Sequence, residues 1–315
     1  MVGVYRKSTF ILSFVFTLFV AGVAPAASSS PSSAQNALAD ADGPWKTPVI
    51  RLGFLPGEGA ADLKLKGDDL AKMIGKKTGI EVRPYIGTSY SDLIEKIAQK
   101  KVDIAFLSAL SYVEAESQVG LKVLLKKVWD KGFYYSVILA DSRTSIKTLI
   151  DLKGKRLAFV DKKSASGYLY PLTALSKAGL RVPEDFKSVV YSGSHDQSVH
   201  ALKVKATDAI AVFSNDPKGK DSAWTQHQGA LKDVRAVWGS AAIPNDPLCV
   251  RNDFYEMNPK LTHDFMFGLI ELNEDPQLGA EFRRLLGIKS LMTATSGQYE
   301  PVREMHRAMI SREAK

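Results

Sequence analysis

The sequence predicts a layered α/β protein made of two lobes. Three observations carry this. From Pro48 onwards, short apolar runs alternate with stretches whose apolar residues recur at helical spacing. The alternation repeats in the second half of the chain. The 315 residues, 45% apolar and 24% charged, supply enough core for one large domain or two ordinary ones.

Residues 1–26 precede the alternation. A basic start (Arg6, Lys7) leads into an apolar run from Phe10 to Val23, closed by Ala24-Pro25-Ala26. That is the order of a secretory signal, with cleavage expected near Ala26. The apolar run, ~14 residues, falls short of the ~20 that span a bilayer. Residues 27–47, rich in Ser, Ala, Asp and Pro, predict a disordered leader.

The elements then follow in order. Residues 49–55 form a strand and 56–59 a turn. Residues 63–74 form a helix with Leu70, Met73 and Ile74 on one face. A strand at 80–85 is followed by a helix capped by Ser89 or Ser91 and running through Leu93, Ile94 and Ile97. Residues 102–107 are a buried strand, Tyr112 opens a short helix, and 121–129 and 134–139 are strands. The second half has a short helix at 145–152, a strand at 156–160, and a helix through Leu172 and Leu175. Strands follow at 187–193, 209–213, 234–238 and 248–251, with a helix starting at Ser194 between the first two. The tail from Pro259 is largely helical. Strands separated by helices predict a mostly parallel sheet.

Composition excludes several function classes. Cys249 is the single cysteine, so no intrachain disulfide or cysteine metal cluster forms; it is expected to be a buried small hydrophobe. The five histidines lack metal-ligand spacing, and no metal or cofactor is expected. The net charge of +8, about +6 after loss of Arg6 and Lys7, is spread over Lys-Lys pairs beside acids, Lys126-Lys127 among them, which are expected to be solvated surface. No aromatic-basic stripe accompanies it, so no nucleic-acid partner is expected, while a mild positive field suits an anionic ligand.

The stretch Lys163-Ser164-Ala165-Ser166-Gly167-Tyr168-Leu169-Tyr170-Pro171 is the most informative. It links a buried strand to a helix, and Pro171 places the helix start at about Ser164 to Tyr168. Two hydroxyls and a glycine then stand where free N–H groups and the helix dipole favour an anion. A plain N-cap is the other reading of the same residues. Further hydroxyl-rich loops follow strand ends at 108–111, 194–196 and 214–216, the edge where open α/β sheets bind ligands.

Several stretches, in order, resemble a known family: Tyr90-Ser91-Asp92-Leu93-Ile94, Lys101-Val102-Asp103-Ile104-Ala105-Phe106, Leu110-Ser111-Tyr112, Gly132-Phe133-Tyr134-Tyr135-Ser136-Val137, Ser164-Ala165-Ser166-Gly167, Gly193-Ser194-His195-Asp196 and Ile243-Pro244-Asn245-Asp246-Pro247. They resemble the phosphate/phosphite/phosphonate-binding subunits of ABC transporters. The resemblance implies a two-lobed type II periplasmic-binding-protein fold, with residues 48–136 plus 240–315 as one lobe and 137–239 as the other. Crossover strands join the lobes, and the ligand cleft lies between them. It implies a periplasmic protein, expected to be a monomer, that captures phosphonate, phosphite or phosphate and delivers it to ABC permease transmembrane subunits.

By the same resemblance, Ser164, Ser166 and the backbone through Gly167 hold phosphoryl oxygens, and His195 donates to the same anion. Tyr90 reaches into the cleft, Tyr134 stands beside the crossover, and Ser111 belongs to a matching loop. Asp246, and a second position near Asn215 or Asp216, match carboxylates that receive a ligand ammonium in some relatives. Two departures stand out: Ser108-Ala109 replaces a common Gly-Pro, and Phe213 replaces a common acid, making that corner less polar. Alternatives are a receptor for sulfonate, sulfate or carboxylate, and a sensing partner of a membrane kinase. A hydrolase using Ser166, His195 and Asp196 is disfavoured, because no Gly-x-Ser-x-Gly elbow is present and His195 and Asp196 are adjacent.

Overall fold

The computed structural model describes residues 48–56, 60–228 and 231–313. The expected signal segment 1–26 and leader 27–47 lie outside the described residues, as does most of the expected turn at 56–59.

In chain order the strands are β1 (Val49–Phe54), β2 (Glu81–Ile86), β3 (Ile104–Phe106), β4 (Leu121–Val128), β5 (Phe133–Asp141), β6 (Arg156–Phe159), β7 (Ser188–Tyr191), β8 (Ala209–Ser214), β9 (Val234–Gly239), β10 (Ile243–Pro244), β11 (Pro247–Arg251) and β12 (Ser290–Thr293). The helices are α1 (Ala60–Thr78), α2 (Tyr90–Ala98), α3 (Ala109–Val119), α4 (Tyr170–Lys177), α5 (His195–Lys203), α6 (Ala223–Gln228), α7 (Asn252–Met257), α8 (Pro259–Glu274), α9 (Gly279–Leu286) and α10 (Glu300–Glu313). Among these residues no helix is long and apolar enough to cross a membrane.

Each lobe is built on one sheet. The first has the order β12-β4-β11-β3-β1-β2, the second β10-β5-β8-β6-β7, with β9 also pairing β5. The expectation of mostly parallel sheets needs correction. Only β2-β1-β3 and β7-β6-β8 pair in parallel; every other pairing is antiparallel. The reason is the crossing between sheets. The chain leaves the first sheet at the end of β4 and enters β5 without an intervening helix, so β5 runs against its neighbour β8. The return from β10 to β11 reverses β11 against β3 in the same way.

The parallel units are duplicates held by one device. The Arg51 backbone N–H and guanidinium Nε donate to Asp103 at 3.0 and 2.8 Å, tying β1 to the turn before β3. Arg156 does the same to Asp208 at 2.8 and 3.2 Å, tying β6 to the turn before β8. Both pairs are 52 residues apart.

The core follows the sheet faces. Ile50, Leu52, Ile104 and Val250 pack with Leu70, Ile74, Phe265 and Phe282 on one face of the first sheet. The opposite face joins Leu93, Ile97 and Val102 to Tyr112 and Tyr299, and the same cluster takes in Ala165, Leu169 and Tyr170 of the second lobe. Apolar packing therefore continues from lobe to lobe. Cys249 is buried in it, as expected.

Two local expectations also need correction. Residues 145–152 hold only a 3-10 turn at Ile150–Leu152, because the Asp151 carboxylate accepts from the Lys147 and Thr148 N–H groups and closes a turn there. In the tail, Gly287 ends α9 with φ 65°, and the chain turns back so that β12 pairs with β4.

Candidate functional site

The stretch after β6 forms a rigid cradle. The Ser164 hydroxyl accepts from Gly167 N–H at 3.0 Å and caps a π-helical turn, Ala165–Leu169, that runs into α4 with Pro171 in its first turn. A Cβ on Gly167 would lie 2.5 Å from Val160, so only glycine lets the loop pack flush against the strand end. Ser136 donates to the Ser166 carbonyl at 2.6 Å, and Val160 N–H to the Gly167 carbonyl at 3.1 Å. The Gly167 N–H is therefore taken by Ser164; what Gly167 supplies is close approach.

His195 opens α5 just after Ser194, whose hydroxyl accepts from Gln197 N–H at 3.2 Å. Its Nδ1 accepts from the Phe213 N–H at 3.3 Å, which fixes the proton of the neutral ring on Nε2. The ring stands edge-on to Phe213, 4.9 Å between centroids. Burial pushes its pKa down to about 4, with Asp196 opposing, so His195 is a neutral Nε2–H donor at physiological pH. Asp196 itself pairs with His227. The three groups of the hydrolase reading are thus not assembled as a relay.

Tyr90, the first residue of α2, is buried with its hydroxyl against Ser164. Tyr134 of β5 is buried against Ser166. Burial first, and the nearby charge of Asp246 second, raise both phenols well above the usual range, so both stay protonated donors. Asp246, half-buried before β11, faces both rings. Burial lifts its pKa to about 6, against the pull of Lys127.

Ser164, Ser166, Gly167, Tyr90, Tyr134 and Asp246 are thus drawn together, while His195 makes its contacts with Phe213 at the end of β8. Two predicted residues are engaged elsewhere. Ser111 is fully buried and donates to the Lys163 carbonyl at 3.1 Å, beside Ser108, which donates to the same oxygen at 2.9 Å. These hydroxyls grip the cradle's entry from the other lobe. The Asn215 amide donates to Asp221 at 2.8 Å, and Asp216 accepts from the Lys218 and Asp221 N–H groups; together they close the loop after β8 upon itself.

The family model for the ABC-transporter phosphonate periplasmic substrate-binding protein matches residues 52–299. The chain belongs to this phosphonate-binding family. It is 27% identical over 289 residues to the phosphonates-binding periplasmic protein of Escherichia coli K12, covering 90% of this chain and 83% of that one. It is 31% identical over 217 residues to the phosphate-import protein of Mycolicibacterium smegmatis, covering 64% and 67%. The structure of PhnD1 from Prochlorococcus marinus in complex with methylphosphonate superposes with a TM-score of 0.71 at 22% identity, covering 83% of this chain and 98% of that one. The first relative is a periplasmic binding protein and the second an import protein, and the two-lobed periplasmic-binding fold is shared with the PhnD1 structure.

Two residues of this phosphonate-family member escape the sequence reading. Lys127 of β4 places its ammonium 4.9 Å from the centre of the Phe106 ring. Trp129, just after β4, stands edge-on to Tyr134 at 5.7 Å and stacks along Phe213 at 6.4 Å, forming an aromatic wall that spans the lobes. The Lys126-Lys127 pair is taken in the sequence for solvated surface. A lysine pair adjoining the apolar run Val123-Leu124-Leu125 in Leu121–Val128 was the available signal.

Proposed function

We propose that this protein captures a phosphonate, phosphite or phosphate in the periplasm and delivers it to an ABC permease, without turning it over. One observation carries the reading: neutral donors converge on the cradle. Hydroxyls of Ser164, Ser166, Tyr90 and Tyr134 gather at one helix start, where no cation is needed to hold an oxyanion, and the reading adds the His195 Nε2–H to them. Lobes comprising 48–136 plus 240–315 and 137–239 close on the ligand; exclusion of water strengthens those bonds. The protein acts as a monomer, with its signal cleaved near Ala26, and needs neither cofactor nor nucleic acid.

Thermal-shift and calorimetric titration with methylphosphonate, phosphite, phosphate and sulfate test this. A ligand at 100 times its Kd adds ~2.7 kcal/mol of stability, an easily seen shift. Combining Ser164→Ala with Ser166→Ala is expected to weaken binding roughly a hundredfold, as two charge-assisted bonds are lost. Unchanged affinity in that double variant would remove the cradle from the site.

A further inference from the structure

Two opposite charges lie near each other at the ends of β4 and β10 and do not join. Lys127 lies in β4 and Asp246 just before β11, and the Lys127 N–H donates to the Asp246 carbonyl at 3.0 Å. Their side chains feel one another's charge, yet no ion pair or side-chain hydrogen bond holds either among the described residues. The Lys127 ammonium rests over Phe106 instead. A charge withdrawn from water is costly until it meets a counter-charge. Direct pairing would satisfy both groups, and strand neighbours are close enough for it in principle; here the pair is held open.

Asp246 lies near Tyr134, and from Tyr134 a run of aromatic rings leads to His195. Phe213 stands against His195 at 4.9 Å, Trp129 stacks along Phe213 at 6.4 Å, and Tyr134 meets Trp129 at 5.7 Å. Such a wall accommodates methylene groups between two polar ends. A ligand ending in a bare methyl leaves both charges unmet. One ending in an ammonium alone meets Asp246 but adds positive charge beside Lys127. An ammonium and a carboxylate on one carbon meet both.

We propose that the preferred ligand is a phosphonate whose organic arm ends in an amino-acid head, with the ammonium received by Asp246 and the carboxylate by Lys127. This rests on the phosphonate reading above. It makes Lys127 a specificity residue, whereas a purely structural Lys127 would only balance Asp246.

Calorimetric titration of the whole protein with four probes separates these roles: methylphosphonate, 2-aminoethylphosphonate, 3-phosphonopropionate and 2-amino-3-phosphonopropionate. The amino-phosphono acid is expected to bind at least about tenfold more tightly than aminoethylphosphonate, one ordinary charge-assisted contact. Lys127→Met is expected to erase that margin and leave methylphosphonate within about twofold. Equal affinity of the wild-type protein for the two amines overturns the proposal without any variant. So does a Lys127→Met protein that loses methylphosphonate and the amino acid alike. If none of the four probes binds, the phosphonate reading falls and the proposal falls with it, a pattern distinct from a wrong ranking among binders.

Discussion

The first lobe ties β1 to the turn before β3 through Arg51 and Asp103, and the second ties β6 to the turn before β8 through Arg156 and Asp208, with the same bonds and the same separation of 52 residues. The surroundings differ. Asp103 is 2% exposed and also lies 3.4 Å from the Arg251 guanidinium, whereas Asp208 is 23% exposed and, among the described residues, forms an ion pair with Arg156 only. The cleft ends differ as well. After β3 the first lobe sends Ser108 and Ser111 across to the Lys163 carbonyl; after β6 the second lobe builds the cradle itself. One repeated unit thus yields a deeply anchored frame in one copy and a donor loop in the other.

The largest test of that contrast is Asp103→Ala. It breaks the bridge to Arg51 and removes one of the two carboxylates beside the nearly buried Arg251, which keeps Asp253 and the Val102 carbonyl, and is expected to cost about 3 kcal/mol in urea denaturation. Gly167→Ala follows. It forces a methyl against Val160 and is expected to cost about 1–3 kcal/mol while weakening ligand binding, because the cradle must shift.

Asp246→Asn works in the opposite direction. The carboxyl is raised in the folded state from 3.8 to about 6, so its contribution to stability is present below pH 3.8 and lost as pH rises through about 6. The amide is therefore expected to stabilise the protein at pH 7.5, on the order of 1–2 kcal/mol, and to change nothing near pH 3.5. His195 has the reverse sign: lowered from 6.5 to about 4, it contributes stability above pH 6.5 that disappears as pH falls through about 4. Thermal melts across that range check both. The smallest effect belongs to Asp208→Ala, expected to destabilise less than Asp103→Ala and to matter less as salt increases. An equal loss for the two aspartates would erase the distinction between the lobes.

Most of the fold was legible because buried strands announce themselves as apolar runs and capped helices as periodic ones. The cradle was legible because Ser164, Ser166, Gly167 and Pro171 each restrict the backbone locally. What local pattern could not supply is which loop faces which. Ser111 and Asn215 lie at strand ends just as the cradle does, but Ser111 meets the other lobe's backbone and Asn215 its own loop. Lys127 passed for surface because its setting is made by Phe106 and Asp246, distant in sequence. β12 was hidden because four residues carry too little pattern to outweigh the helices around them.

The two hydroxyls on the Lys163 carbonyl have a kinetic meaning. They join the first lobe to the residue just ahead of the proposed cradle. Any opening that separates Ser108 and Ser111 from that oxygen must break both bonds before the solute can leave. On the proposed reading they therefore bear on residence time: a single backbone oxygen one residue ahead of the cradle would help to set the dwell of the solute, and with it the interval in which a permease can be met.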